Sequence, residues 1–434
     1  MTPSFVKRTL ERSRIAVLSV HTCPLAALGG KETGGMNVYV REVSRALGRL
    51  GSEIDVFTRS QDPGIPEVVA LGPGARVIHV PAGPARPIAR AAVADHLPEF
   101  ADRVEAFRTR EGARYDLVHS HYWLSGLTGL DLARRWDVPL VHMFHTLGAI
   151  KNAVARGSGD TEPPERLDAE IRIAGGADRI VAATLVERAD LTWHLGADPA
   201  RVAVIPCGVD VELFRPRPAE TARKRLGLDA EHVLLFVGRL TPIKGLETLL
   251  RALAVLRSDG LAKTRLTLLV VGGAKGDEAG SEHLRGLAND LGVGAWVDFR
   301  GPQPQDVLPD YYAAADVCLM PSRYESFGMV ALEAMASGVP VIASRAGGLA
   351  VTVQEGVTGR LVPEGDVPAL ARAVAGLLGD EPGRRALGAR GVDWARRFAW
   401  PAVGRSVAGL YGELLPTRDG VVGAVGAAGC RSVL

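Results

Sequence analysis

The chain has 434 residues, 23% of them charged, and a formal net charge of +2. That length exceeds what one core can bury and predicts two domains, and the balanced charge excludes capture of nucleic acid or another polyanion by bulk attraction. No apolar run is long enough to span a membrane, residues 1–14 are basic without the apolar centre of a signal peptide, and Cys23, Cys207, Cys318 and Cys430 have no metal-like spacing, so they read as reduced thiols in the cytoplasm.

Residues 15–20 are an apolar run, expected as a buried parallel strand. A loop over 21–33 leads to Gly34-Gly35-Met36-Asn37, and 38–50 has helical periodicity. Strand, glycine-rich turn and helix let backbone N–H groups approach a phosphate. The third glycine of the dinucleotide fingerprint is missing, and two glycines alone describe many ordinary turns. Further strands are expected at 52–58, 77–80, 117–120, 139–144, 180–183 and 202–205, with helices at 93–110, 127–135 and 185–195. Residues 206–210 and the proline-rich 214–218 read as a linker. The alternation restarts with strands at 233–237, 266–271, 297–299, 317–320 and 339–343 and helices at 246–256, 369–378 and 385–397. An amphipathic helix over 402–415 comes last, and the Gly- and Ala-rich segment 417–434 is expected to be disordered. This pattern predicts an α/β fold of two doubly wound, Rossmann-like domains.

Ligands of open α/β sheets bind beyond the carboxyl ends of the strands. The unusual polar residues fall there: Gly34 to Asn37, His119 to Tyr122, His145-Thr146, Arg239 with Lys244, Glu325, and Gly347-Gly348. Their presence in both halves predicts a cleft between two facing domains. Ser326 is placed to cap a helix that carries Glu333, and a helix start after a parallel strand is an anion site. Glu325 and Glu333 would repel a phosphate there, so sugar or ribose hydroxyls are their natural ligands; a capped helix with two ordinary glutamates is the alternative. Arg239 and Lys244, flanked by Gly238 and Gly245, suit a diphosphate; a solvated loop is the alternative. His119 and His121 share a strand face, but no third zinc ligand is apparent, and no Asp-x-Asp pair offers a metal for a diphosphate. His145 at a strand end reads as structural, Arg166 in its charged stretch as solvated, and Arg90, Tyr122 and Thr146 as ordinary when taken singly. The residues alone indicate a two-domain protein for a phosphorylated, nucleotide-like ligand.

Taken together, the motifs resemble the retaining glycosyltransferases of family 4, which have the GT-B fold. The marks are Gly238-Arg239-Leu240-x-Pro242-x-Lys244-Gly245, then Glu325-Ser326-Phe327-Gly328 with Glu333 beyond, then Gly347-Gly348. The resemblance covers about residues 14–416. It implies an acceptor domain over 1–209 with a crossing helix at 400–416, a nucleotide-sugar domain over 210–399, and a tail at 417–434. It assigns Arg239 and Lys244 to the diphosphate, Glu333 to the ribose, and Glu325 with Ser326, Phe327 and Gly328 to the donor sugar and phosphate. His145 would lie beside that sugar and Gly35 would touch the donor. The implied catalytic set is His145, Arg239, Lys244 and Glu325.

The N-terminal half is similar to a narrower group within that family. Its marks are His21-Thr22-x-Pro24-Leu25, Gly34 to Tyr39, His119 to Gly126, and His145-Thr146-Leu147-x-x-x-Lys151-Asn152. That group transfers N-acetylglucosamine from UDP-GlcNAc to 1D-myo-inositol 3-phosphate in mycothiol biosynthesis. It implies an acceptor phosphate held by Arg90, Tyr122, Thr146 and Arg166, with Arg90 standing where the group has Lys, and acceptor contacts from His21 and Asn37. It also implies a structural magnesium on backbone groups near Tyr312, Ala313, Ala315 and Val339, no cofactor for the chemistry, a UDP-sugar donor, and a homodimer. Sucrose-phosphate synthases share part of this pattern and use UDP-glucose and fructose 6-phosphate. A nucleotide-sugar-binding protein without transferase activity is the non-enzymatic alternative; the intact Arg239, Lys244, Glu325 and Glu333 argue against it.

Overall fold

Continuous apolar runs become parallel strands when helices cover both faces of the sheet. The computed structural model describes residues 13–26, 33–155, 161–258, 265–273 and 278–415. Among these, a first sheet holds β1 (Arg14–Leu18), β2 (Glu53–Arg59), β3 (Val68–Gly72), β4 (Ala75–Val80), β5 (Leu117–His121), β6 (Leu140–Met143), β7 (Arg179–Ala182) and β8 (Val202–Val204). Its spatial order is β3-β4-β2-β1-β5-β6-β7-β8, parallel except for the hairpin partners β3 and β4. A second sheet holds β9 (His232–Gly238), β10 (Leu266–Gly272), β11 (Val297–Gly301), β12 (Val317–Met320), β13 (Val341–Ser344) and β14 (Gly359–Val362). Its order is β11-β10-β9-β12-β13-β14, parallel throughout. Two such α/β domains facing each other form the GT-B architecture. The strand order reverses between β1 and β5 and again between β9 and β12, and each reversal opens a crevice at the carboxyl ends.

The helix Trp400–Leu414 packs on the helix Gly35–Arg49 of the first sheet. A Cβ on Gly404 would lie 2.5 Å from the Cβ of Ala46, so only glycine permits this approach. Tyr411 Oη and His119 Nδ1 hydrogen-bond at 2.6 Å, and the Trp400 ring meets Tyr39 edge-on at 5.8 Å. The Val209 amide donates to the carbonyl oxygen of Phe398 at 2.9 Å, so the two chain crossings between the sheets run side by side. The tail at 417–434 lies outside the described residues, as does residue 416 of the expected crossing helix.

Several expectations are corrected. Ser326 does not cap its helix: that helix is Met329–Ala336, and its N-cap is Gly328 at φ 92°. The helix after β5 begins at Tyr122 rather than 127, directly from the strand through a positive φ of 72° at Tyr122. The strands β3 and β14 and the helices Gly148–Val154, Pro164–Gly176, Glu278–Asp290 and Leu308–Ala314 are additions to the sequence reading. Pro164 opens its helix at a position where proline lacks nothing the helix needs, a signal that the surrounding charges masked. Arg166 in that helix is fully buried, not solvated.

Candidate functional site

The carboxyl ends of both sheets open into one cavity of about 370 Å³, lined from both domains. On the second-domain side, β9 runs into Gly238-Arg239 and a short turn that ends at Lys244. Gly245 takes φ 72°, and a Cβ there would fall 1.9 Å from the carbonyl oxygen of Pro321. Only glycine brings the lysine loop so close to the end of β12. Lys244 Nζ and Glu325 Oε1 form an ion pair there, while Arg239 is exposed at the rim. Gly348 supports the Glu325 loop from below: its amide donates to the Glu325 carbonyl oxygen at 2.7 Å, and a Cβ would meet the Ser326 carbonyl oxygen at 2.1 Å. Glu333 lies one turn inside the helix Met329–Ala336. Tyr312 Oη donates to its Oε2 at 2.8 Å, and burial pushes its pKa up to about 7.

On the first-domain side, the helix Gly35–Arg49 starts opposite the helix Met329–Ala336. A Cβ on Gly35 would sit 3.3 Å from Met329 Sδ, so both helix N-termini approach one region of the cleft, where their dipoles favour an anion. Asn37 is buried and holds the preceding loop: its Nδ2 donates to Thr22 Oγ1 at 2.6 Å and to the Cys23 carbonyl oxygen at 2.8 Å. The His21 ring lies 4.6 Å from the Tyr122 ring, tilted by 41° against it.

His145 adopts φ 62°, uncommon for a side chain larger than glycine and a form of strain found at functional sites. Its Nε2 pairs with His121 Nδ1 at 3.0 Å, and the His119 and His121 rings lie 4.2 Å apart, on one strand face as the alternation requires. Burial drives the pKa of His145, His119 and His21 down to about 3, so these imidazoles are neutral hydrogen-bonding groups. Among the described residues no group of three or more His, Cys, Asp or Glu could hold a metal ion.

Arg90, Tyr122, Thr146 and Arg166 do come together, joined by Lys151 and Glu162. Arg166 is the hub: Nε donates to Glu170 Oε1 at 2.7 Å, Nη1 to Tyr122 Oη at 2.9 Å, and Nη2 to Thr146 O at 2.7 Å and Oγ1 at 3.1 Å. Its guanidinium also lies 4.8 Å from the centre of the Tyr122 ring. Arg90, Tyr122, Thr146 and Lys151 line the cavity, with Arg166 behind them. Glu162 pairs with Lys151, with Arg166 at 3.0 Å and with Arg90 at 3.5 Å. Burial raises the Glu162 pKa, but Arg166, Lys151 and Arg90 outweigh that and hold it at about 2. The sequence reading assigned no role to Lys151 or Glu162; Lys151 lies within the His145 motif, and Glu162 had no signal of its own.

None of the four positions suggested for magnesium lines this cavity, although the Tyr312 hydroxyl reaches Glu333 at its wall. Tyr312, Ala313 and Ala315 end the helix Leu308–Ala314 just before β12, and Val339 precedes β13, its parallel neighbour. Carbonyl groups at a helix C-terminus carry partial negative charge and are oxygen ligands of the kind a hard cation takes, so the residues present fit such an ion. One of them, the Tyr312 carbonyl, already accepts from the Ala315 amide at 3.0 Å.

Residues 33–213 match the family described as Glycosyltransferase Family 4, and residues 218–394 match Glycosyl transferases group 1. D-inositol 3-phosphate glycosyltransferase 2 of Catenulispora acidiphila is 44% identical, covering 92% of this chain and 94% of the relative. D-inositol 3-phosphate glycosyltransferase of Corynebacterium efficiens is 42% identical over 92% of this chain and 95% of its own. The structure of sucrose-phosphate synthase from Thermosynechococcus elongatus superposes with a TM-score of 0.85 at 38% identity, covering 93% of this chain and 99% of that one.

Proposed function

The chain belongs to the D-inositol 3-phosphate glycosyltransferase family within the family-4 glycosyltransferases, and we propose that it moves a sugar from a UDP-sugar to a small phosphorylated polyol with retention of configuration. N-acetylglucosamine from UDP-GlcNAc and 1D-myo-inositol 3-phosphate are the substrates of this reading. The observation that carries it is that cations of both domains line one cavity, Lys244 with Arg239 from one and Arg90 with Lys151 from the other. Two anionic groups, a donor diphosphate and an acceptor phosphate, match cations from both domains better than one ligand does.

In this mechanism Arg239 and Lys244 neutralise the diphosphate as it leaves, Glu333 accepts from the ribose hydroxyls, and Glu325 from hydroxyls of the donor sugar. The bond from the sugar's anomeric carbon to the phosphate oxygen breaks, and the acceptor hydroxyl oxygen bonds to that carbon from the same face. The departing phosphate oxygen takes the hydroxyl proton, so no protein base is required. Catalysis is then positioning together with charge stabilisation. His145, neutral beside the donor sugar, acts as a hydrogen-bonding group. A structural cation at Tyr312, Ala313, Ala315 and Val339 would brace the amino ends of β12 and β13, away from the reacting atoms.

UDP release from the purified protein tests the reading, with UDP-GlcNAc or UDP-glucose offered with inositol 3-phosphate, fructose 6-phosphate or no acceptor, with and without EDTA. Release confined to UDP-GlcNAc with inositol 3-phosphate is expected. The likeness to sucrose-phosphate synthase makes UDP-glucose with fructose 6-phosphate the competing pair, and turnover of that pair alone overturns the acceptor assignment. A homodimer, part of the same reading, is checked by light scattering.

A further inference from the structure

We propose that the Glu162 carboxylate occupies the seat of the acceptor's phosphate in the unliganded enzyme, and that the two anions exchange when the acceptor binds. The inference rests on the acceptor reading above. Two of the groups assigned to that phosphate, Arg166 and Arg90, converge on this carboxylate together with Lys151. Oε2 is 3.0 Å from Arg166 Nη1, Oε1 is 3.5 Å from Arg90 Nη2, and Oε1 also meets Lys151 Nζ. The same Arg166 holds Tyr122 Oη and Thr146 Oγ1 at the edge of the cluster.

Three cations converging without an anion would repel one another. Glu162 keeps them charged and aimed at one point, so the site is organised before its ligand arrives. Glu170 cannot take that part, because it is fully buried and already accepts from Arg166 Nε and from the Gly148 amide at 2.9 Å. A carboxylate is also the weaker partner for three cations: a phosphate brings more acceptor oxygens and more charge. The main chain of Glu162 is held independently of its side chain. Its amide donates to Asn152 Oδ1 at 2.6 Å, and Asn152 Nδ2 donates to its carbonyl oxygen at 3.2 Å. The side chain can therefore leave the cluster while the backbone stays in place. An uncharged polyol offers nothing to displace the carboxylate, so Glu162 selects for a phosphorylated acceptor by disfavouring its unphosphorylated counterpart.

Calorimetric titration of the full chain with inorganic phosphate, in wild type, Glu162→Gln and Glu162→Asp, is the test. The Gln variant is expected to bind phosphate on the order of tenfold more tightly, a gain of about 1.4 kcal/mol, and the Asp variant, whose carboxylate is drawn back from the cations, to gain less. In transfer assays the acceptor KM of the Gln variant falls, while the donor KM does not move. The unliganded Gln variant melts below wild type, and saturating phosphate closes that gap. Phosphate affinity equal to or below wild type in every folded variant overturns the proposal, as does a melting deficit that phosphate leaves untouched, because a purely structural ion pair gives both. If the Gln variant does not fold, the Asp variant decides. Wild type that binds phosphate but transfers to no phosphorylated acceptor overturns the acceptor reading instead.

Discussion

The Ser326 hydroxyl donates a hydrogen bond to the carbonyl oxygen of His145 at 2.5 Å, joining the strand-end loops of the two domains across the cleft. The contact depends on two departures from regular backbone. His145 sits at φ 62° and Gly328 at φ 92°, and Ser326 is released from capping because Gly328 precedes the helix. Ser326→Ala is expected to cost about 1 kcal/mol, the usual net value of one hydrogen bond, and to raise the donor KM. Thermal melting with steady-state kinetics checks both; an unchanged donor KM would show that the contact has no part in donor binding.

Lys244 is paired with Glu325 in the cleft. Lys244→Ala removes the positive charge proposed to face the leaving diphosphate. Turnover is expected to fall on the order of 10²–10³-fold, as when one preorganised stabilising donor is lost, with the circular dichroism spectrum unchanged. Turnover within a few-fold of wild type would remove Lys244 from the mechanism.

Arg166 is fully buried, and each guanidinium nitrogen donates to a protein group. Arg166→Met leaves Glu170 and Glu162 without that partner, and breaking a buried pair from one side costs about 3–5 kcal/mol. At about 2–4 °C per kcal/mol for a domain of this size, the melting temperature should fall well outside experimental error. Arg166→Lys should recover only part of the loss, because an ammonium cannot reproduce the planar fork.

Glu187 predicts a pH dependence. It is buried, its Oε2 accepts from the Ala183 amide at 2.6 Å, and burial pushes its pKa up to about 7 from an ordinary value of 4.5. A carboxyl raised in the folded state contributes stability that is complete below pH 4.5 and is lost as pH rises through 7. Relative to Glu187→Gln, wild type should therefore lose stability across that window; the buried neutral histidines His21, His119 and His145, with pKa lowered to about 3, push both proteins the other way. Glu333 shifts in the same direction as Glu187 but is present in both proteins, so it cancels from the comparison of slopes. Melting curves from pH 4.5 to 8 measure it; equal slopes in the two proteins would count against a titrating Glu187.

The sequence by itself determined the parallel strands of the two sheets, though not the edge strands β3 and β14, and the polar loops at their carboxyl ends. Runs such as residues 15–18 and 317–320 are apolar because both faces of a central parallel strand are covered, and that demand is local enough to read. The loops were legible for a similar reason: Gly238-Arg239 and Lys244-Gly245 directly follow a strand that could be read. Tertiary structure alone decided which charges are buried and with whom. Arg166 looks solvated among charged neighbours, yet its partners Tyr122 and Thr146 lie 44 and 20 residues away, and Glu162 meets Arg90 from 72 residues along the chain. Burial of a charge is set by partners distant in sequence, and neither periodicity nor composition carries that information. The path from Phe327 into the helix Met329–Ala336 was decided there too: the Ser326 hydroxyl bonds a carbonyl in the other domain instead of capping its own helix.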